Sequence, residues 1–369
     1  MDPNGEVHSP VHLVEEIYGH LSPYLKPYTH IDLYEPGIGP GIFQQLYPFR
    51  DKTTYNGCDI VYKHPPPIVH GDFFDQSLNM YDVILGNLPF NNGVVHTPCN
   101  KQITKKSKTI WNVMLKRCLK HIKPNGFGAF IIPCIWLKPD RENIYKELTS
   151  RKILYLKTYS CAESNKLFNY KCQTPICYVI FQNIFDPSIR IWDSHCFIDF
   201  PLEPNQCIPT KNVTLLKESM NYVKGCRRLS PIKVANTKVR TETNVETDPF
   251  SITSITKTIN GFHSKMPGSF HGVSKIILAN KLKPIPFKDI EGKYGIYGRD
   301  IYIFIGDDME TIYDFLCIPI VQTIIKSFTI RMNFYEKYIF DYLPDPRYCD
   351  VDDYIRSMTV VLNNIPVTK

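Results

Sequence analysis

Ile31-Asp32-Leu33-Tyr34-Glu35-Pro36-Gly37-Ile38-Gly39-Pro40-Gly41 begins as a short, largely apolar run and ends in a turn with glycine at alternate positions. The run reads as a buried strand. The turn should feed a helix near Phe43–Leu46, because glycine tolerates left-handed backbone and lets a ligand approach the chain closely. Strand, glycine turn and helix in that order open a doubly wound α/β sheet, whose ligands lie at the carboxyl ends of its strands. Further strands read as Thr53–Asp59, Ile68–His70 and Asp82–Gly86. Upstream, Ser9 reads as a cap and Pro10 as the first helical position, with Leu13, Val14, Ile17 and Leu21 recurring on one face.

Downstream, Trp111, Met114, Leu115, Cys118, Leu119 and Ile122 follow the helical period, and Pro124-Asn125-Gly126 should close that helix. Phe127–Ile132 is expected as a strand, Asp140–Thr149 as a helix, and Ile153–Thr158 and Ile176–Gln182 as strands. This alternation predicts an α/β fold with a largely parallel sheet and helices on both faces. Past residue 184 the text becomes irregular. The strand Gly298–Ile305 stands out, as does a helix from Asp307-Asp308 carrying Met309, Ile312, Tyr313 and Leu316, which Pro319 should break or kink. Arg240–Asp248 reads as an exposed connection. Two domains are expected, 1–184 and 185–369, the second without a legible fold.

The chain carries 43 Lys+Arg against 36 Asp+Glu, a net charge of +7 that permits a polyanionic partner. Lys101, Lys105, Lys106 and Lys108 form one cluster. Residues 211–240 form another, with Lys211, Lys217, Lys224, Arg227, Arg228, Lys233, Lys238 and Arg240 set against Glu218 alone. Such groups suit phosphates, and a solvated charged face accounts for each equally well. The twelve cysteines lack zinc spacing and read as reduced thiols; no metal is expected. No secretory signal or apolar span is evident, so a cytoplasmic, intracellular protein is expected.

Four successive strand ends carry polar groups: Glu35, Asp59, Asp72 and Asn87. The Gly37, Gly39, Gly41 turn lacks the third glycine of a dinucleotide fingerprint, and no phosphate-binding Lys-Ser/Thr loop exists. A nucleoside cofactor without phosphates fits best. Asp59 could accept both ribose hydroxyls, and Asp72 an adenine amino group. Asn87-Leu88-Pro89-Phe90 suits the methylation of a nucleobase amine, a poor nucleophile whose lone pair is delocalised into the ring. The Asn87 side-chain oxygen and the Leu88 carbonyl can accept the amine's hydrogens while Phe90 stacks on an extruded base. A strand running into a proline turn is the competing reading of that tetrapeptide.

These motifs resemble the S-adenosylmethionine-dependent DNA adenine-N6 methyltransferases of type II restriction-modification systems, in the gamma order. Gly5-Glu6-Val7-His8-Ser9-Pro10 is similar to the family's opening motif, Glu35 to Phe43 to its cofactor loop, Gly57-Cys58-Asp59 to its ribose motif and Gly71-Asp72-Phe73 to its adenine motif. Asn165-Lys166-Leu167-Phe168 resembles the late motif with a second aromatic. Gly292-Lys293-Tyr294-Gly295 and Leu343-Pro344 look like pieces of a target-recognition domain. The resemblance implies a Rossmann-like methyltransferase sheet followed by a mixed α/β recognition domain that binds duplex DNA.

It further implies that Glu35 holds the methionine amino group and that Ser9 and the glycine backbone place the carboxylate. Asp59 would take the ribose and Asp72 the adenine, with Pro10, Pro36, Ile60 and Phe73 completing the cofactor-binding set. Asn87, Leu88, Pro89, Phe90 and Phe168 would act on the flipped adenine. The enzyme would work as a monomer, with any partner endonuclease on a separate chain. Leu88 departs from the family's usual proline and is shared by ribosomal RNA adenine dimethyltransferases, so an RNA adenine methyltransferase is the runner-up. A catalytically silent nucleic-acid-binding subunit is the third reading. Asn260–Lys275, with Phe262, His263, Phe270 and His271, is a candidate for base contacts, alongside the plainer reading of a surface loop.

Overall fold

Leu13, Val14, Ile17, Tyr18, Leu21 and Leu25 are all buried along one face of a helix over Val11–Leu25 (α1). This is a computed structural model, and it describes residues 8–91, 109–234, 242–255, 258–280, 284–298, 300–328, 330 and 335–365. Pro10, in extended conformation, takes the cap position that the sequence reading gives to Ser9. Its carbonyl accepts the first helical bonds, from the Leu13 and Val14 amides. The other end of α1 is closed by a side chain distant in sequence. The Lys52 ammonium donates to the carbonyls of Leu25 (3.1 Å), Lys26 (3.0 Å) and Tyr28 (2.6 Å), where the helix leaves acceptors unpaired and its dipole favours a cation.

The chain divides into two compact units after Thr210, with Ile330 grouping with the first. After α1, the first unit runs β1 (Ile31–Pro36), α2 (Ile42–Leu46), β2 (Thr53–Asp59), β3 (Ile68–His70), β4 (Tyr81–Asn87), α3 (Trp111–Lys120) and β5 (Ile122–Pro133). It continues with α4 (Ile144–Thr149), β6 (Arg151–Tyr159), α5 (Cys161–Leu167), β7 (Ile176–Phe185), β8 (Ile189–Asp193) and β9 (Cys196–Phe200). These strands form one nine-stranded sheet in the order β3-β2-β1-β4-β5-β7-β6-β8-β9. The first five strands pair in parallel, and β7 lies antiparallel between β5 and β6. This is the expected Rossmann-like α/β sheet.

Helices cover both faces. Ile31 and Leu33 of β1, Val83 and Leu85 of β4 and Phe127, Ala129 and Ile131 of β5 form one core with the buried stripe of α1 and with Phe43 of α2. On the opposite face, Tyr34 packs on Phe73, and the guanidinium of Arg117 in α3 lies 5.0 Å from that ring's centre. At the amino ends of β1 and β4, Lys123 bridges Asp32 (2.9 Å) and Asp82 (3.0 Å) and ties the two central strands together. Among the described residues no helix is long and apolar enough to cross a membrane.

Three boundaries differ from the pattern. The helix α3 ends at His121, and Pro124-Asn125-Gly126 lies inside β5 as an irregularity that shifts the β4 register between Ile122 and Phe127. Asp140 precedes α4 rather than opening it, since its carboxylate accepts from the amides of Glu142 and Tyr145. The sheet also runs on past residue 184 into β8 and β9, whose short alternating runs pair only with one another and with β6.

The second unit begins with α6 (Val213–Val223) and contains β10 (Ile232–Lys233), β11 (Glu242–Thr243), β12 (Phe250–Ile255), β13 (Ile259–Ser264), β14 (Lys275–Ala279), β15 (Pro286–Asp289), β16 (Tyr294–Ile296) and β17 (Ile301–Phe304). It ends with α7 (Met309–Cys317), α8 (Pro319–Lys326) and α9 (Val351–Asn364). Two four-stranded sheets, β10-β17-β14-β15 and β11-β13-β12-β16, share a core of Ile252, Ile277, Ile296, Ile301 and Ile303. Asp308 caps α7 through the Thr311 amide, and Pro319 starts α8 after an extended Ile318. Lys275, at the end of the candidate base-contact stretch, is fully buried. Its ammonium binds Asp289 (2.5 Å) and the carbonyls of Phe270 and Val273, so this lysine braces a loop and faces no ligand.

Replacing Lys52 with methionine should remove the α1 closure while keeping the apolar stem. A loss of about 1–2 kcal/mol is expected in denaturant unfolding; unchanged stability would show that solvent serves those carbonyls equally well.

Candidate active site

In this strand order the chain winds outward from β1 through β2 and β3, then crosses back to β4 on the other side of β1. Loops leaving β1 and β4 therefore diverge and open a crevice at the carboxyl end of the sheet. The loop after β1 is Gly37 to Gly41, with φ of 74° at Gly37, 55° at Gly39 and 80° at Gly41. All three values lie in the region that favours glycine, which is why the alternate spacing occurs. The loop after β4 is Leu88-Pro89-Phe90. A side-chain carbon built on Gly37 would lie 3.7 Å from Pro89 Cδ, so the two motifs stand side by side.

Asp59 holds the glycine loop. Its Oδ2 accepts from the Gly39 amide (2.7 Å), and its Oδ1 accepts from the amides of Val61 (2.8 Å) and Tyr62 (2.7 Å). A carboxylate offers about four acceptor positions, so roughly one remains for a ligand hydroxyl. The Gly37 and Ile38 amides donate to the Cys58 carbonyl, and His64 Nε2 lies 2.8 Å from the Gly39 carbonyl. Gly57 permits this closeness, because a side-chain carbon there would sit 2.6 Å from the Glu35 carbonyl and 2.5 Å from Ile38 Cδ1.

Glu35 is 1% exposed at the end of β1. The Tyr55 hydroxyl donates to its Oε2 at 2.5 Å, and among the described residues no lysine or arginine forms an ion pair with it. Burial lifts the Glu35 carboxyl from an ordinary 4.5 to about 8; the Tyr55 bond works against this rise, and the nearby Asp59 charge adds to it. A buried acid without a cation suits a ligand ammonium, which would supply the missing charge. Gly86 keeps β4 close to this point, since a side-chain carbon built there would lie 3.5 Å from Glu35 Cγ.

Asn87 ends β4, half-buried and in register with Ile131 of β5. Leu88 is 1% exposed. The side chain that distinguishes this motif therefore packs inward, and its size serves the core. Pro89 is exposed, and Phe90 is half-buried against the core, its carbonyl accepting from the Ile110 amide. Asp72, exposed beyond β3, accepts from the Phe74 amide (2.9 Å) and so caps a short turn. Phe73 is buried between Tyr34 and Arg117, which places it in the core. Phe168, after α5, is 3% exposed within the core cluster. Ser9 and Pro10 stand at the start of α1, and Ile60 is 65% exposed beside Asp59.

The crevice thus gathers Glu35, Pro36, Gly37, Gly39, Gly41 and Asp59 with Asn87, Leu88, Pro89 and Phe90, and the structure places Phe73 and Phe168 in the core. Tyr55 and His64 escaped the sequence reading. Tyr55 sits two residues before Gly57, the register partner of Glu35, so its role appears only once β1 and β2 are paired. His64 lies in a loop without a periodic signal. Gly5, Glu6, Val7, Lys101, Lys105, Lys106, Lys108, Lys238 and Arg240 lie outside the described residues.

No protein-family model matches the chain, and no curated protein matches it. Solved structures do resemble it. One is a class I S-adenosylmethionine-dependent methyltransferase from Listeria monocytogenes, 13% identical over 47% of this chain and 60% of that one, with a TM-score of 0.36. The EcoKI M protein of a type I restriction enzyme is 14% identical over 52% of this chain and 49% of that one, with a TM-score of 0.38. The type IIG restriction endonuclease BpuSI is 11% identical over 97% of this chain and 61% of that one, with a TM-score of 0.43. This chain therefore spans about half to three-fifths of each of these proteins. At this distance the chemistry is decided by the chain's own residues.

Glu35 offers a direct check. A folded-state pKa near 8 means that the folded protein keeps a proton which the unfolded chain releases above about 4.5, so stability falls as pH rises between those values. Replacing Glu35 with glutamine should raise stability by roughly 3–4 kcal/mol near pH 7–8, with the gain vanishing near pH 4. A variant no more stable than wild type at pH 8 would contradict this.

Proposed function

We propose that the chain transfers a methyl group from S-adenosylmethionine to the N6 amine of an adenine flipped out of duplex DNA. The observation that carries this is the placement of the glycine loop, with its buried acid, beside Asn87-Leu88-Pro89-Phe90 at one switch point. Glu35 would hold the cofactor's ammonium group and drop in pKa as it does so. Asp59 would take a ribose hydroxyl with its remaining acceptor position, the glycine loop, free of side chains, would let the rest of the ligand lie against the backbone, and Asp72 would meet the adenine.

The cofactor supplies an electrophilic methyl group on a positively charged sulfur. Asn87 Oδ1 and the Leu88 carbonyl would accept the two hydrogens of the target amine, drawing its lone pair out of the ring and aiming it at the methyl carbon. The target nitrogen would take the methyl group as the S–C bond breaks, the sulfur leaving as a neutral thioether, and one amine proton would pass to solvent. Pro89 would fix the backbone angle that presents the Leu88 carbonyl, and Phe90 would face the base. Positioning supplies most of the rate effect. Exposed cations of the second unit, Lys211, Lys224, Arg227 and Lys233, suit phosphate contacts, with that unit reading sequence in the major groove.

Leu88 sustains one alternative. Its buried side chain matches the ribosomal RNA enzymes' choice of an apolar residue here, which makes an RNA adenine the second substrate candidate.

Purified protein should be incubated with methyl-labelled S-adenosylmethionine and unmethylated DNA or RNA. Label is expected in DNA, and Asn87→Ala should cut transfer by about 100-fold or more, the scale of losing one transition-state contact, with cofactor affinity retained. Label confined to RNA would favour the alternative. Cofactor binding without transfer to either would mark the chain as a silent subunit.

A further inference from the structure

From Gly37 to Gly41 every backbone amide is already spent within the protein. The Gly37 and Ile38 amides donate to the Cys58 carbonyl, the Gly39 amide to Asp59 Oδ2 (2.7 Å) and the Gly41 amide to the Ile38 carbonyl (3.1 Å), while Pro40 has no amide to give. The loop therefore serves a ligand by its shape. Gly39 has the least restraint of its own, with φ of 55° and no side chain to pack, so its peptide group turns easily unless something holds it.

Asp59 and His64 hold that residue from both sides. Asp59 takes the amide, and His64 Nε2 lies 2.8 Å from the carbonyl. A ring nitrogen facing a carbonyl oxygen must carry the proton, so His64 donates. The ring also lies against Gly41, its Cε1 3.6 Å from a side-chain carbon built there.

His64 is itself fixed from either end. Before it, the Val61 and Tyr62 amides donate to Asp59 Oδ1 (2.8 and 2.7 Å). After it, Pro65, Pro66 and Pro67 restrict the backbone, and Pro65 disfavours helical geometry at residue 64. One carboxylate and one imidazole thus close a ring between residues 37–41 and 59–64.

We propose that His64 is a positioning residue for the cofactor: by holding the Gly39 carbonyl it keeps the glycine loop in its binding shape before S-adenosylmethionine arrives. This role deepens the methyl-transfer reading and rests on it. A loop that must be ordered during binding lowers affinity, and once the cofactor is seated the transfer step is the same.

His64→Phe keeps a ring against Gly41 and removes the donor, whereas His64→Gln restores a donor; the residue is half-exposed, so both variants should fold. Calorimetric titration with S-adenosylmethionine, and with its demethylated product, should show His64→Phe binding each about 5- to 10-fold more weakly, the scale of one lost hydrogen bond. His64→Gln should bind both like wild type. The loss should appear in KM for the cofactor, with kcat at saturating cofactor retained. The nitrogen-15 spectrum of the unliganded wild type should show the neutral His64 ring protonated on Nε2. His64→Phe with wild-type affinity, His64→Gln as weak as His64→Phe, or a neutral ring protonated on Nδ1 would overturn this role while leaving the cofactor site standing. Wild-type protein that binds neither compound would overturn both.

Discussion

The reversal of winding between β1 and β4 is the constraint around which the first unit is arranged. Adjacent parallel strands whose following segments leave in opposite directions cannot cover their own carboxyl ends. Glu35, next to last in β1, and Asn87, last in β4, place polar groups on either side of one crevice. Lys123 secures the opposite end by binding an aspartate on each strand. The apolar residues of β1 and β4 that lie between fix the distance across which the site is built.

The crevice is organised at a cost to stability. Glu35 sits fully buried with a tyrosine hydroxyl for company, and Asp59 gives most of its acceptor capacity to backbone amides. Both arrangements work against the unliganded fold or consume polar groups a ligand could use. A cationic, hydroxyl-bearing molecule would complete them: its ammonium would relieve Glu35, and the loop pinned by Asp59 would stay in place with no reordering on binding.

Much of the first unit could be read from the sequence because each strand is an apolar run ended by a residue of distinct chemistry. Glu35, Asp59 and Asn87 declared themselves that way. Tyr55 did not, since its partner is set by the β1–β2 register, and periodicity carries no register between strands. Phe168 follows α5 with its ring in the core, because the way a seven-residue helix turns its last residues is not carried by the sequence pattern. The second unit stayed closed for a different reason. Its strands are two to six residues long and pair out of order, as β14 does with β17 and β12 with β16. A strand that short holds too few alternations to reveal its buried face. Lys275 shows the consequence: it ends a stretch that reads as a surface loop, and it is a buried brace.

We propose that the paired motifs at this crevice methylate adenine in DNA. This is tested most directly by expressing the chain in a host free of adenine methylation and sequencing the host DNA for N6-methyladenine. Modification at every copy of one short sequence, absent when Asn87→Ala is expressed, is the expected result. Host DNA without N6-methyladenine, from cells that contain the folded protein, would contradict the claim.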